Sequence, residues 1–237
     1  MNISVVMPAY NEEKKIESSL EKLTAYLKGR YENYEILVIN DGSKDKTSEI
    51  VEKFKENKVR LIENTKNMGK GASVKIGMIN AKYDPILFTD ADLATPIEEL
   101  EKFHNALNEG TDIAIASRAL EQSHIAVSQP KYRQILGKTF PLLVKQLILN
   151  DFKDTQCGFK LFKKEAAMKI FPRQTLKRWA FDVEILFIAK ELGYKIKELP
   201  VTWEDKGDSK LAPIRDSAKM FQEIVKIKRN ALQGKYK

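Results

Sequence analysis

Pro85-Ile-Leu-Phe-Thr-Asp90-Ala-Asp92 is an apolar, strand-forming run that ends abruptly in two carboxylates spaced i, i+2. Side chains alternate along an extended backbone, so this spacing aims both acids to the same side of the strand end. Two hard oxygen ligands there suit Mg2+ or Mn2+, which bind through one or two carboxylates plus substrate phosphates. On that reading the pair is a metal-bridged diphosphate site, and the substrate is a nucleotide carrying a leaving group. Asp-X-Asp alone describes solvated loop acids equally well, since turns favour Asp. The flanking sequence decides between the two.

Working outward, residues 3–7, 34–40, 58–62 and 112–116 are further short apolar runs. Helical periods lie between them, as in residues 13–28, where Ile16, Leu20, Leu23 and Leu27 share one face. Strands alternating with helices predict an α/β fold, Rossmann-like, with a mainly parallel central sheet flanked by helices. Such sheets bind ligands beyond the carboxyl ends of their strands, at a topological switch point. Pro8-Ala-Tyr-Asn-Glu12, Asp41-Gly-Ser43 and Asp90-Ala-Asp92 all fall at such ends, which predicts one shared site. Asn67-Met-Gly-Lys-Gly71 fails the Walker pattern, because no Gly precedes Gly69 by five positions and Gly71 replaces the Ser/Thr. It fails the dinucleotide pattern too, with Val74 at the third Gly position. A glycine turn opening a helix still presents N–H groups to an anion, which makes it a candidate nucleotide contact.

At 237 residues, 43% hydrophobic and 31% charged, the chain has the composition of an ordinary globular protein of one domain, with or without a C-terminal appendage. No apolar run reaches the length of a membrane-spanning helix. Met1-Asn-Ile-Ser-Val enters a strand directly, so no signal peptide is expected. The single Cys157 excludes an internal disulfide and fits a reducing cytoplasm, as a small buried residue. Charge is uneven: from Lys206 onward nine Lys/Arg face three Asp/Glu, +6 of the total +8. A tail of that kind can meet nucleic acid, an anionic membrane surface, or nothing.

Pro8-Ala-Tyr-Asn-Glu12, Asp41-Gly-Ser-Lys-Asp45, Gly69-Lys-Gly71, Asp90-Ala-Asp92, Ser117-Arg118, Asp154-Thr-Gln-Cys-Gly-Phe159 and Phe181-Asp-Val-Glu184 occur in that order. The ordered set resembles the family 2 inverting glycosyltransferases of the type A (GT-A) fold, specifically the dolichyl-phosphate (polyprenyl-phosphate) sugar synthases. The resemblance covers residues 3–210. It implies a transferase domain over residues 1–210 and leaves 211–237 as a basic amphipathic C-terminal helix. It further implies that Pro8, Ala9, Tyr10, Glu12, Asp41 and Lys70 hold the nucleotide-sugar together with Asp90, Ala91 and Asp92, and that Asp90 and Asp92 carry Mg2+ or Mn2+. Mannose synthases of this family usually carry a Gln where this chain has Ala94. That departure looks more like the dolichyl-phosphate glucosyltransferase branch and favours a UDP-sugar over GDP-mannose, with glucose or N-acetylglucosamine as the sugar.

The resemblance implies inversion, with a lipid phosphate attacking the anomeric carbon opposite a metal-neutralised diphosphate. Arg118 and Arg133 match the acceptor-phosphate arginines, and the guanidinium fork suits phosphate. Trp203-Glu-Asp-Lys-Gly-Asp-Ser-Lys-Leu211 resembles a loop that closes over the donor and brings Ser209 and Lys210 to the phosphates. Asp154 is matched by position. Asp182 and Glu184 read in two ways: first-turn acids favoured by the helix dipole, or site acids, with Asp182 the general base for a hydroxyl acceptor.

Residues 130–150 mix apolar residues with Arg133, Lys138 and Lys145, and residues 213–237 set Ile214, Phe221, Ile224 and Val225 against Lys226, Lys228 and Arg229. Both suit helices lying in a membrane interface, or packing on the sheet or a second subunit. The expectation is a peripheral enzyme on the cytoplasmic face of a membrane. Its rivals are a family 2 transferase acting on a hydroxyl, a mannose synthase using GDP-mannose, and a non-catalytic basic module. Nucleic acid is not an expected partner, because strand-end carboxylates repel phosphate backbones unless a metal intervenes.

Overall fold

The computed structural model describes residues 1–127, 148–207 and 213–237. Arg133, Ser209, Lys210 and most of segment 130–150 therefore lie outside the described residues. The expected alternation is present as β1 (Asn2–Ala9), α1 (Ile16–Lys28), β2 (Asn33–Asn40), α2 (Thr47–Glu52), β3 (Val59–Glu63), α3 (Lys70–Asn80), β4 (Ile86–Thr89), α4 (Leu100–Asn108) and β5 (Ile113–Ser117). Then come β6 (His124–Val127), β7 (Phe159–Phe162), α5 (Lys164–Arg173), α6 (Phe181–Glu191), β8 (Ile196–Pro200), β9 (Thr202–Glu204) and α7 (Pro213–Leu232).

Seven strands form one sheet in the order β3-β2-β1-β4-β7-β5-β8, and β6 pairs with β9 beside it. All pairings in the large sheet are parallel except those of β7, which runs antiparallel between β4 and β5. Strand order reverses between β1 and β4, so a crevice is expected at their carboxyl ends. Both sheet faces are covered. On one face Ile3, Val5 and Met7 pack with Ile16, Leu20, Leu23 and Leu27 of α1 and with Phe103 of α4. On the other, Val6, Leu37, Ile39 and Phe88 pack with Val74 of α3 and Phe181 of α6.

Two glycines set how closely α3 approaches. A Cβ on Gly77 would lie 2.2 Å from Val6 Cγ1, and one on Gly71 would lie 2.6 Å from Phe181 Cβ. The helix therefore lies directly on β1, with its N-terminus at the carboxyl edge of the sheet. Gly69, just before it, takes φ +101°, a conformation only glycine adopts without strain.

The basic tail docks on the same core. Met220, Ile224 and Ile227 of α7 are buried, and Tyr236 is buried beyond its end. The sequence grouped Phe221, Ile224 and Val225 as one interfacial face; the structure divides them. Ile224 belongs to the core, while Phe221, Val225 and Leu232 are exposed. Among the described residues no helix is long and apolar enough to cross a membrane.

Candidate active site

The first wall of the crevice is made by two stitched loops. Asn11 N–H donates to Ser43 Oγ at 2.9 Å, Lys44 N–H to Asn11 Oδ1 at 2.8 Å, and Glu12 N–H to Thr47 Oγ1 at 2.8 Å. These bonds join the ends of β1 and β2. Beside them opens a cleft of about 610 Å3 lined by Tyr10, Asn40, Gly42, Ser43, Asn64 and Asn67. Pro8 and Ala9 are the last residues of β1 and are buried beneath it.

Asp41 is buried, and its oxygens accept from Met68 N–H (2.8 Å), Gly69 N–H (2.8 Å) and Asn64 Nδ2 (2.9 Å). Asp41 holds residues 64–69 in place as the cleft's edge, and so sets where Lys70 begins α3.

At the end of β4, Asp90 N–H donates to Gly158 O at 3.1 Å. The Asp90 carboxylate lies against Gly158, where any Cβ would come within 2.0 Å of Asp90 Oδ2. Lys70 Nζ pairs with Asp90 Oδ1 at 2.6 Å and lies 5.6 and 5.8 Å from the ring centroids of Phe88 and Trp179. Asp92 Oδ1 accepts from Ala94 N–H at 3.1 Å, with Leu93 between them at positive φ and Ala91 buried. Burial, then the adjacent Asp90 charge, pushes the Asp92 carboxyl above the usual range. Lys70 is held charged against burial by Asp90 and Asp182. A carboxylate raised by a neighbouring carboxylate belongs to a site that gains from a cation.

A second charged centre sits at the end of β5. Asp154 takes a two-pronged bond from Arg118, Nε to Oδ2 at 2.7 Å and Nη2 to Oδ1 at 3.0 Å, and also accepts the Arg118 backbone N–H at 3.0 Å. The Arg118 side chain is partly exposed, and it lies 5.5 Å from the Trp203 ring centroid. Glu204 N–H donates to Ala94 O at 2.9 Å, which ties the Trp203 strand to the Asp90–Asp92 loop. Burial works to raise the Asp154 carboxyl, but the Arg118 guanidinium and two backbone N–H donors overcome it and hold the pKa at about 2. Glu198 secures this acid from below, accepting Asp154 N–H at 2.7 Å and Lys153 N–H at 3.0 Å.

Asp182 lies in the first turn of α6. It is buried and paired at 2.5 Å with Lys160 Nζ, itself fully buried and donating to Cys157 O at 2.7 Å. Burial raises the Asp182 carboxyl, and Lys160 and Lys70 oppose that rise. Its role is to seat Lys160 under the Asp90 loop. Lys160 was not visible as functional in sequence, where it reads as one polar residue in Phe159-Lys-Leu-Phe162.

Glu184 lies in the same first turn. It is completely buried, and it accepts from Thr175 N–H (2.9 Å), Thr175 Oγ1 (2.6 Å), Leu176 N–H (2.7 Å) and Tyr236 Oη (2.7 Å). This carboxylate pins the tail to α6. Glu184→Ala strands several buried donors and should cost about 3 kcal/mol, whereas Tyr236→Phe loses one bond and should cost about 1 kcal/mol. Urea unfolding of the two variants checks the ratio.

Residues 4–171 match the family described as Glycosyl transferase family 2. The chain is 42% identical over 234 residues to dolichyl-phosphate beta-glucosyltransferase ALG5C of Trichomonas vaginalis, covering 94% of this chain and 69% of that protein. It is 38% identical over 251 residues to the dolichyl-phosphate beta-glucosyltransferase of Homo sapiens, covering 99% and 77%. Its fold is similar to glucosyl-3-phosphoglycerate synthase from Mycobacterium tuberculosis in complex with Mn2+ and UDP-glucose, with TM-score 0.65, 16% identity and coverage of 94% and 76%. The fold is that of a type A glycosyltransferase. The chain belongs to glycosyl transferase family 2 and is a hexosyltransferase, as expected from its ordered motifs.

Proposed function

We propose that this chain transfers glucose from UDP-glucose to dolichyl phosphate or another polyprenyl phosphate, inverting the anomeric carbon. The observation that carries the reading is the pair of charged centres at one sheet edge. Asp90 and Asp92 form an acidic pole beside Lys70, and Arg118, forked on Asp154, forms a cationic pole. Relatives named for dolichyl phosphate and glucose support the acceptor and the sugar, and a neighbour crystallised with UDP-glucose supports the nucleotide.

The residues fit Mg2+ or Mn2+. Among the described residues no group of three or more His, Cys, Asp or Glu is placed to hold a metal ion. Two neighbouring carboxylates without a third suit an ion that takes its remaining ligands from phosphates and water. Asp90 and Asp92 would hold it, and bound there it would neutralise the departing diphosphate. The chain's own groups do the rest. The cleft beside Tyr10 receives the nucleoside, and Lys70 offers an ammonium to the phosphates. The partly exposed Arg118 receives the acceptor phosphate, which is anionic at neutral pH and needs no base. That fits Asp182, whose carboxylate is paired with Lys160.

The acceptor is a lipid, so we place the enzyme peripherally on the cytoplasmic face of a membrane, where the unpaired Cys157 stays reduced. The exposed Phe221, Val225 and Leu232 beside Lys226, Lys228 and Arg229 supply one contact to that surface. Incubation with radiolabelled UDP-glucose, UDP-N-acetylglucosamine or GDP-mannose, a divalent cation and dolichyl phosphate tests the proposal. The expected result is a chloroform-soluble, mild-acid-labile product from UDP-glucose. No lipid product from any donor would sink it.

A further inference from the structure

The Asp90–Lys70 pair has a consequence for the order of binding. Five charged side chains meet at the end of β4: Lys70 and Lys160 against Asp90, Asp92 and Asp182. Lys160 is committed, fully buried between Asp182 and Cys157 O. Lys70 differs. Its side chain is 21% exposed, and its ammonium rests on Asp90, the more exposed partner at 31%. The Phe88 and Trp179 rings flank it and confine where it can go. Gly69 and Gly71 fix the start of α3, so Lys70 cannot leave the crevice by shifting the helix.

We propose that Lys70 is the resident counter-ion of the divalent-cation site, occupying Asp90 until a nucleoside diphosphate supplies it with a second anion. A divalent ion arriving alone must displace the ammonium from Asp90 and then share the crevice with it. A diphosphate arriving with the ion removes that conflict, because its oxygens accept Lys70 while Asp90 passes to the metal. Cation and diphosphate therefore bind cooperatively, and the empty site resists a stray cation. The inference deepens the function proposed above and rests on its assignment of the cation to Asp90 and Asp92.

When a competent state is one-tenth populated, apparent affinity falls tenfold. Methionine matches the length of the lysine stem and suits the aromatic flanks. Mn2+ binding to the whole protein without nucleotide, followed by Mn2+ electron paramagnetic resonance, should be about tenfold tighter for Lys70→Met than for wild type. UDP affinity at saturating Mn2+ should move the other way and weaken. Lys70→Arg keeps the charge and should bind Mn2+ alone no more tightly than wild type. Equal or weaker Mn2+ binding by Lys70→Met overturns the inference. If that variant does not fold, a crystal structure of the wild-type Mn2+–UDP complex decides: Lys70 Nζ away from Asp90 supports the inference, and Nζ still bonded to Asp90 overturns it. Absence of Mn2+ binding by every variant, even with UDP, would instead remove the metal from the proposed function.

Discussion

Gly158→Ala should silence this enzyme about as thoroughly as Asp90→Ala, although residue 158 carries no side chain to do chemistry. An added Cβ would sit 2.0 Å from Asp90 Oδ2, 2.3 Å from Cγ and 2.6 Å from Oδ1. The carboxylate must therefore turn out of its place, because its own N–H stays tied to Gly158 O. Removing a preorganised electrostatic group at a departing charge typically costs on the order of 100- to 1,000-fold in kcat. Both variants should fall in that range when transfer from UDP-glucose to dolichyl phosphate is followed by radiolabel. The glycine variant keeps the charge and loses only its geometry. It should therefore bind Mn2+ and UDP more weakly while its unfolding free energy in urea stays within about 1 kcal/mol of wild type. Full activity in Gly158→Ala would mean that the Asp90 rotamer has no part in donor binding.

This pairing marks where reading the sequence stops. The i, i+2 spacing of Asp90 and Asp92 was legible because an extended backbone alternates its side chains. That Gly158 is the floor on which Asp90 rests was not, because β7 returns from a segment 68 residues later and runs antiparallel between β4 and β5. β7 was itself missed as a strand: it has four residues, and one is a buried lysine whose partner, Asp182, lies on a later helix. Four of the five strands that were legible, β1, β2, β4 and β5, have apolar runs buried on both faces, and the fifth, β3, is a half-exposed edge strand. The half-exposed edge strand β8, Ile196-Lys-Glu-Leu-Pro200, alternates too weakly to stand out. The acids divide in the same way. Glu184 and Asp182 sit two apart at a helix start and resemble a site pair, yet Glu184 is bound to Tyr236, 52 residues away, and only the fold shows it.

Arg118→Ala should lower kcat/KM for the lipid phosphate by roughly 100- to 1,000-fold while leaving the KM for UDP-glucose nearly unchanged, because a guanidinium that grips the attacking phosphate acts on the acceptor alone. Arg118→Lys should recover little, since an ammonium cannot keep two parallel bonds to Asp154 and still offer an edge to phosphate. Asp154→Asn tests whether the fork matters or only the charge. Arg118 remains, but it loses a charged partner on Nε and Nη2 and is no longer aimed, so the acceptor KM should rise about tenfold with a smaller change in kcat. The same acid has a signature in stability. Its folded pKa of about 2 lies below the usual carboxylate value of about 3.9, so the Arg118 pair contributes roughly 2 kcal/mol that is fully present above pH about 4. That contribution is lost as pH falls through about 2, and Asp154→Asn lacks it at every pH. Wild type should therefore be more stable than the variant at neutral pH, and the two unfolding free energies should converge on acidification. Equal stability at pH 7 together with an unchanged acceptor KM would detach Asp154 from Arg118. The cationic pole would then need another residue to aim it.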